Sequence, residues 1–232
     1  MVPSSLRANL STITTRIHRS AESAKRNPED ITLVAVTKAL PPKIWHDAIN
    51  ENLTCIGENR VPEAAEKVKN FPFRDKIELH LIGHLQSNKA RKAIKLFDVI
   101  QTIDSIKLAE RINAICAEMG TKQRIFIQVN TGNDPAKQGF SINNAMDSIW
   151  EISEMKHLIC EGIMTIPQQG LPEKKLLDIY RKTRKIRDTV KKSININFKY
   201  LSMGMSNDFE TAITEGATHI RLGTALFGER PQ

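Results

Sequence analysis

Residues 31–38, ITLVAVTK, are apolar and β-branched almost throughout, the pattern of a strand covered on both faces. Runs of the same kind return at TCIGEN (54–59), IELHLIG (77–83), DVIQTID (98–104), RIFIQVN (124–130), LICEGIMTI (158–166), FKYLSMG (198–204) and HIRLGTALFG (219–228). Between them the apolar positions change period. Ile44, Ala48 and Ile49 follow Pro41-Pro42, which suits a first helical turn; Val61, Ala65 and Val68 come next, then Ala90, Ile94 and Phe97. Leu108, Ile112, Ile115 and Met119 predict a helix capped by Asp104 or Ser105 and stopped at Gly120. Further helices are predicted around Ile142–Ile152, over 174–192 and over 207–216.

The chain thus reads as eight strands separated by seven helices, with Leu6, Leu10, Ile13 and Ile17 marking a leading helix within 1–25. Eight β/α units in 232 residues predict a compact α/β fold, a (β/α)8 TIM barrel with an extra N-terminal helix, as one domain over 1–232. A doubly wound open sheet is the alternative, but no Gly-rich dinucleotide loop follows the first strand.

Composition narrows the class without deciding it. With 40% hydrophobic and 26% charged residues the chain is an ordinary globular protein. No stretch approaches the ~20 apolar residues of a membrane span, and the N-terminus lacks a signal-peptide core, so a cytoplasmic location is expected. Cys55, Cys116 and Cys160 are odd in number and far apart, which argues for reduced thiols rather than disulfides or a Cys-rich zinc site. The net charge of +8 fits nucleic acid or small anions. Its densest run, 174–192, interleaves Lys and Arg with Leu176, Ile179, Thr183, Ile186 and Val190 at helical spacing, which reads as a solvated helix face. No aromatic residues interleave there for base stacking.

In a TIM barrel the chemistry lies at the C-terminal ends of the strands. That rule selects Lys38, Glu58-Asn59, Gly83, His84 and Gln86, Gln128 and Asn130, Met164-Thr165, Met203-Gly204 with Ser206, and Arg221 with Gly223 and Thr224. Lys38 closes an apolar strand. Desolvation there would favour the free amine, a nucleophile able to form a Schiff base; the alternative is a lysine that snorkels to solvent. Ser206 stands at a helix N-cap position, and Gly223-Thr224 offer backbone amides, so this rim could cradle a phosphate. Read alone, they could equally be an N-cap and turn glycines. Reactive lysine and phosphate cradle on one rim point to a phosphorylated carbonyl ligand.

The segments VAVTK (34–38), GENR (57–60), HLIGHLQSNK (80–89), SMGMSND (202–208) and IRLGTALFG (220–228) closely resemble the pyridoxal phosphate homeostasis proteins, also called proline synthase co-transcribed proteins. The likeness runs over essentially the whole chain with the motifs in order. The family is similar in fold to the N-terminal barrel of alanine racemases.

The resemblance implies pyridoxal 5′-phosphate (PLP) as cofactor, held as a Schiff base on Lys38. It implies that Arg221 faces the pyridine nitrogen, that Ser206, Gly223 and Thr224 bind phosphate with Ser202 and Met203 close by, and that Asn59 lies beside the ring. Lys137, in NDPAKQGF, matches a second lysine with a role in cofactor transfer. Arginine is always protonated and donates to an unprotonated ring nitrogen, which makes a weaker electron sink than an acidic partner would. The chain stops at Gln232 without the β domain that gives racemases a second base. The expected function is therefore intracellular PLP homeostasis with little or no turnover, as a monomer, with PLP-requiring apo-enzymes as partners. The alternatives are a PLP-dependent amino-acid racemase with Lys137 or His84 as base, a Schiff-base aldolase, and a nucleic-acid binder. No metal is expected, since His80 and His84 straddle a strand end. Trp45 and Trp150 read as helix packing.

Overall fold

The computed structural model describes residues 4–194 and 196–229. Its strands are β1 (Thr32–Val36), β2 (Cys55–Glu58), β3 (Glu78–Leu81), β4 (Val99–Ile103), β5 (Gln123–Gln128), β6 (Leu158–Met164), β7 (Tyr200–Ser202) and β8 (His219–Leu222). All pair in parallel, in chain order, and β1 closes on β8. The closed barrel rules out the open sheet.

The helices are α1 (Ser4–Ser23), α2 (Ile44–Asn50), α3 (Val61–Lys69), α4 (Ala90–Leu96), α5 (Ile106–Glu118), α6 (Ile142–Ser153), α7 (Glu173–Ser193), α8 (Phe209–Thr214) and α9 (Thr224–Phe227). Helices α2 to α8 connect successive strands, so the predicted alternation holds. Ser105 caps α5 by accepting from the Leu108 amide, and Gly120 follows the helix at φ 63°, a conformation glycine adopts without strain.

The main core lies between the barrel wall and the helices. Ala35, Ile56, Leu79, Leu81 and Ile100 point outward from the strands and are fully buried there. Each such Ile or Leu side chain contributes about 1.5–3 kcal/mol by leaving water. On α7, Leu176, Ile179, Thr183, Ile186 and Val190 are buried as their spacing predicted, joined by Tyr180. Its basic residues sit outside, several in ion pairs: Arg181 and Arg184 with Glu215, and Lys182 with Asp178. Helix α1 packs on α8 and α9, where Asn9 donates to the Leu226 carbonyl and Arg16 lies over the Phe209 ring.

Two expectations fail locally. The eighth strand ends at Leu222; Thr224–Phe227 is a helical turn, because a short apolar run does not tell a strand from a buried helical turn. Trp45 is fully buried as expected, but Trp150 is 60% exposed on the outer face of α6. All three cysteines are reduced and buried.

Candidate functional site

The C-terminal mouth of the barrel gathers most of the residues singled out from sequence. Lys38 follows β1 there and is half-buried. Its two neighbours are pinned. The Thr37 carbonyl accepts from Lys67 Nζ at 2.7 Å, and the Thr37 hydroxyl donates to Glu58 Oε1 at 2.6 Å while accepting from Trp45 Nε1 at 2.9 Å. Lys67 Nζ also reaches Glu58 Oε1 at 2.6 Å, both side chains being buried. On the other side Ala39, at φ 58°, donates its amide to Glu63 Oε1 at 2.5 Å. A left-handed alanine costs free energy, so the surroundings must over-determine it. Burial pushes the Glu58 carboxyl upward, and the Lys67 ammonium opposes that. Glu58, a strand-end candidate from sequence, therefore belongs to the brace beneath α3 and not to the mouth.

Arg221 projects from β8 into the barrel and is almost fully buried. It donates to Ser202 Oγ at 2.7 Å and to the Thr165 carbonyl at 2.8 Å. Burial pulls its guanidinium down to about 10, still cationic at neutral pH. Ser202 is thus a partner of Arg221 inside the barrel. Met203, next in sequence, points the opposite way: its side chain is fully buried in the outer core, so only its backbone borders the mouth.

The loops after β7 and β8 meet. Ser206 Oγ accepts from the Ala225 amide at 3.3 Å, which draws the β7–α8 loop against Gly223-Thr224 at the start of α9. Gly204 makes that loop possible. It sits at φ 92°, and a Cβ there would lie 2.6 Å from Ala212 Cβ. Asp208 holds the turn by accepting the Met205 amide at 2.5 Å.

Asn59 follows β2 at the mouth, half-buried. Gly83 lies against it so closely that a Cβ would fall 2.2 Å from the Asn59 carbonyl oxygen. His84 is exposed and pairs with Asp104 at 2.9 Å, and Gln86 is exposed too. Lys137 lies half-buried in the β5–α6 loop. Asn130 braces that loop, accepting from the Asp134 amide at 3.0 Å and donating to the Asp134 and Lys137 carbonyls at 2.8 and 3.3 Å.

The floor beneath the mouth was not read from sequence. His80, Phe126, Tyr200 and His219 fill the barrel, with ring centroids 4.9–6.4 Å apart along the contacts between them. Burial pulls His219 down to about 3, so it is neutral. Lower still, Cys55 Sγ, a Glu78 oxygen and a His80 nitrogen lie within 4.8 Å of one another. Period-two alternation could have placed these side chains inward, but only once the strand register was known.

Residues 4–231 match the family model for the alanine racemase N-terminal domain. The pyridoxal phosphate homeostasis protein of Aquifex aeolicus is 35% identical over 95% of this chain and 96% of its own length. The protein of the same name from Escherichia coli is 33% identical over 96% of this chain and 95% of its own. Among solved structures, PipY of Synechococcus elongatus with PLP bound superposes with a TM-score of 0.81 at 33% identity, covering 92% of this chain and all of PipY. An alanine racemase of Clostridium difficile shares the fold, at TM-score 0.77 and 19% identity, over 99% of this chain and 61% of that one. The chain belongs to the pyridoxal phosphate homeostasis protein family, on the barrel fold of the alanine racemase N-terminal domain.

Proposed function

We propose that this protein binds PLP at the barrel mouth and serves intracellular PLP homeostasis, with Lys38 holding the cofactor as a Schiff base. The observation that carries the reading is the bracing of Thr37 and Ala39 by Glu58, Lys67 and Glu63, which fixes the lysine between them. The donor set fits the cofactor group by group. Arg221 offers a buried cation to the ring nitrogen. Ser206 and the amides of Gly223 and Thr224 offer donors to the phosphate, in the loops where TIM barrels commonly bind one. Asn59 stands at the mouth, where it would lie beside the ring, and Lys137 belongs to a loop on the same rim.

When bound, PLP supplies an electron sink for amino-acid chemistry. Two features favour holding it over using it. An arginine at the ring nitrogen makes a weak sink, and the relatives sharing this chain's length are named for homeostasis, not for a reaction. In this reading the protein is a carrier that lacks a second base, works in the cytoplasm as a monomer, and passes PLP to apo-enzymes.

The test is a PLP titration followed by absorbance, on the wild type and on Lys38→Ala. A saturable yellow band in the wild type, absent from the variant, is expected. Incubating the loaded protein with amino acids in heavy water should give no fast loss of the α-proton; rapid exchange would make it an enzyme.

A further inference from the structure

A line of polar side chains runs down the barrel from Arg221, below the groups proposed to meet the cofactor. Arg221 Nη1 donates to Ser202 Oγ at 2.7 Å, and Ser202 Oγ lies 2.5 Å from Gln101 Oε1. Gln101 Nε2 lies 2.6 Å from His80 Nδ1, and His80 Nε2 stands 3.2 Å from Glu78 Oε2, near enough for electrostatic attraction but not aligned as a hydrogen bond. Glu78 pairs with Arg124, which donates in turn to Glu161 at 2.9 Å. Ser202, Gln101 and His80 are fully buried, so water cannot substitute for any of these partners from outside.

The hydrogens in this line have one self-consistent arrangement. Ser202 Oγ already accepts from Arg221, so its own hydrogen goes to Gln101 Oε1. The Gln101 amide nitrogen then faces His80 and donates, which makes Nδ1 the acceptor and leaves the ring proton on Nε2, toward the Glu78 carboxylate. Reversing the amide would leave the Ser202 hydrogen without an acceptor in the line and, with a neutral ring, would turn the Nε2 lone pair onto a carboxylate. A guanidinium at one end and a carboxylate at the other thus impose the same direction. From Arg221 to His80 every donor points from the mouth toward the N-terminal end, an arrangement in which successive hydrogen bonds reinforce one another.

We propose that His80, held as the Nε2–H tautomer between Glu78 and Gln101, is a positioning residue for Arg221, fixing through Ser202 where the guanidinium stands beneath the mouth. The proposal rests on Arg221 being the group that meets the ring nitrogen. It also assigns the Cys55, Glu78 and His80 cluster. With Nε2 protonated and Glu78 taken by Arg124, the trio is the lower end of the line and not a cation site.

Nitrogen-15 NMR of the histidines tests the first half without cofactor. In the apo-protein the His80 signal, assigned by its loss in His80→Gln, should show a neutral ring protonated at Nε2, and added zinc should leave it unchanged. A proton on Nδ1, or zinc-dependent movement, would overturn the arrangement. The second half is read with PLP. Adding PLP to the wild type should shift the His80 signal. His80→Phe keeps the ring volume but breaks the line, and should weaken PLP binding on the order of tenfold and move the absorbance maximum. Glutamine can accept from Gln101 and donate to Glu78, so His80→Gln should recover most of the affinity and the wild-type maximum. Wild-type binding and spectrum in a folded His80→Phe, or an unmoved His80 signal on PLP saturation, would overturn the positioning role. Failure of the wild type to bind PLP would instead sink the functional reading, leaving the tautomer result to stand alone.

Discussion

Lys67 Nζ donates to the carbonyl oxygen of Thr37 at 2.7 Å, one residue before the lysine assigned to hold the cofactor. The same ammonium neutralises Glu58, which is fully buried. Lys67→Met should therefore be costly in a specific way. It leaves the Glu58 carboxylate buried without its cation, for a loss of about 3–5 kcal/mol in urea unfolding. The double variant Glu58→Gln with Lys67→Met should recover much of that stability while still binding PLP less tightly, because the Thr37 carbonyl has lost its anchor. Additive single and double losses would show that the pair is not coupled.

Gly204→Ala tests the phosphate side. The position combines φ 92° with a Cβ that would sit 2.6 Å from Ala212 Cβ. Strain and crowding together should cost about 3 kcal/mol, and the displaced loop should lose the Ser206–Ala225 contact. Inorganic phosphate should protect the wild type against thermal unfolding and protect the variant much less. Equal protection would place the phosphate elsewhere.

Ser206→Ala is a milder probe of the same rim. The serine is half-buried and bonds only weakly to the Ala225 amide, so stability should change by less than about 1 kcal/mol. PLP affinity should fall several-fold, and pyridoxal, which lacks the phosphate, should bind both proteins alike. A similar loss for pyridoxal would mean that Ser206 acts on the fold and not on phosphate.

Acid should destabilise the protein through the barrel interior. His219 stays neutral in the folded chain until about pH 3 but protonates near 6.5 when unfolded. Its contribution is whole above pH 6.5 and is lost as pH falls toward 3, at about 1.4 kcal/mol per pH unit for this one proton. Glu78, held down to about 2 chiefly by its close contact with His80 and also by Arg124, adds a second loss between its ordinary 4.5 and 2. His219→Phe should flatten the upper window and leave the lower one. Urea midpoints measured from pH 7 to 4 would show it, and an unchanged slope would mean that other groups dominate.

The order and number of the elements were legible because each strand is a continuous apolar run and each helix repeats at three and four residues; α7 placed Leu176, Ile179 and Val190 inward without any structure. The strand-end rule then singled out Lys38, Asn59, Ser206 and Arg221 as candidates. What stayed hidden depends on register or on a partner distant in sequence. Ser202 and Met203 are adjacent, yet one joins Arg221 and the other the outer core, a distinction set by strand parity at the barrel wall. The Lys67 anchor joins the third helix to the end of the first strand, and no local pattern announces it. Trp150 lies on α6, whose buried face is Ala145, Ser148, Ile149 and Ile152, and falls outside that stripe, which its residue type alone does not reveal.

Covalent attachment of PLP to Lys38 can be read by borohydride trapping. Protein loaded with PLP is reduced, digested and mapped by mass spectrometry, alongside Lys38→Ala. The account predicts bleaching of the yellow band and one PLP-sized mass increase, on the peptide containing Lys38, absent from the variant. A label that falls on Lys137 or another lysine, or no label despite saturation, would contradict it.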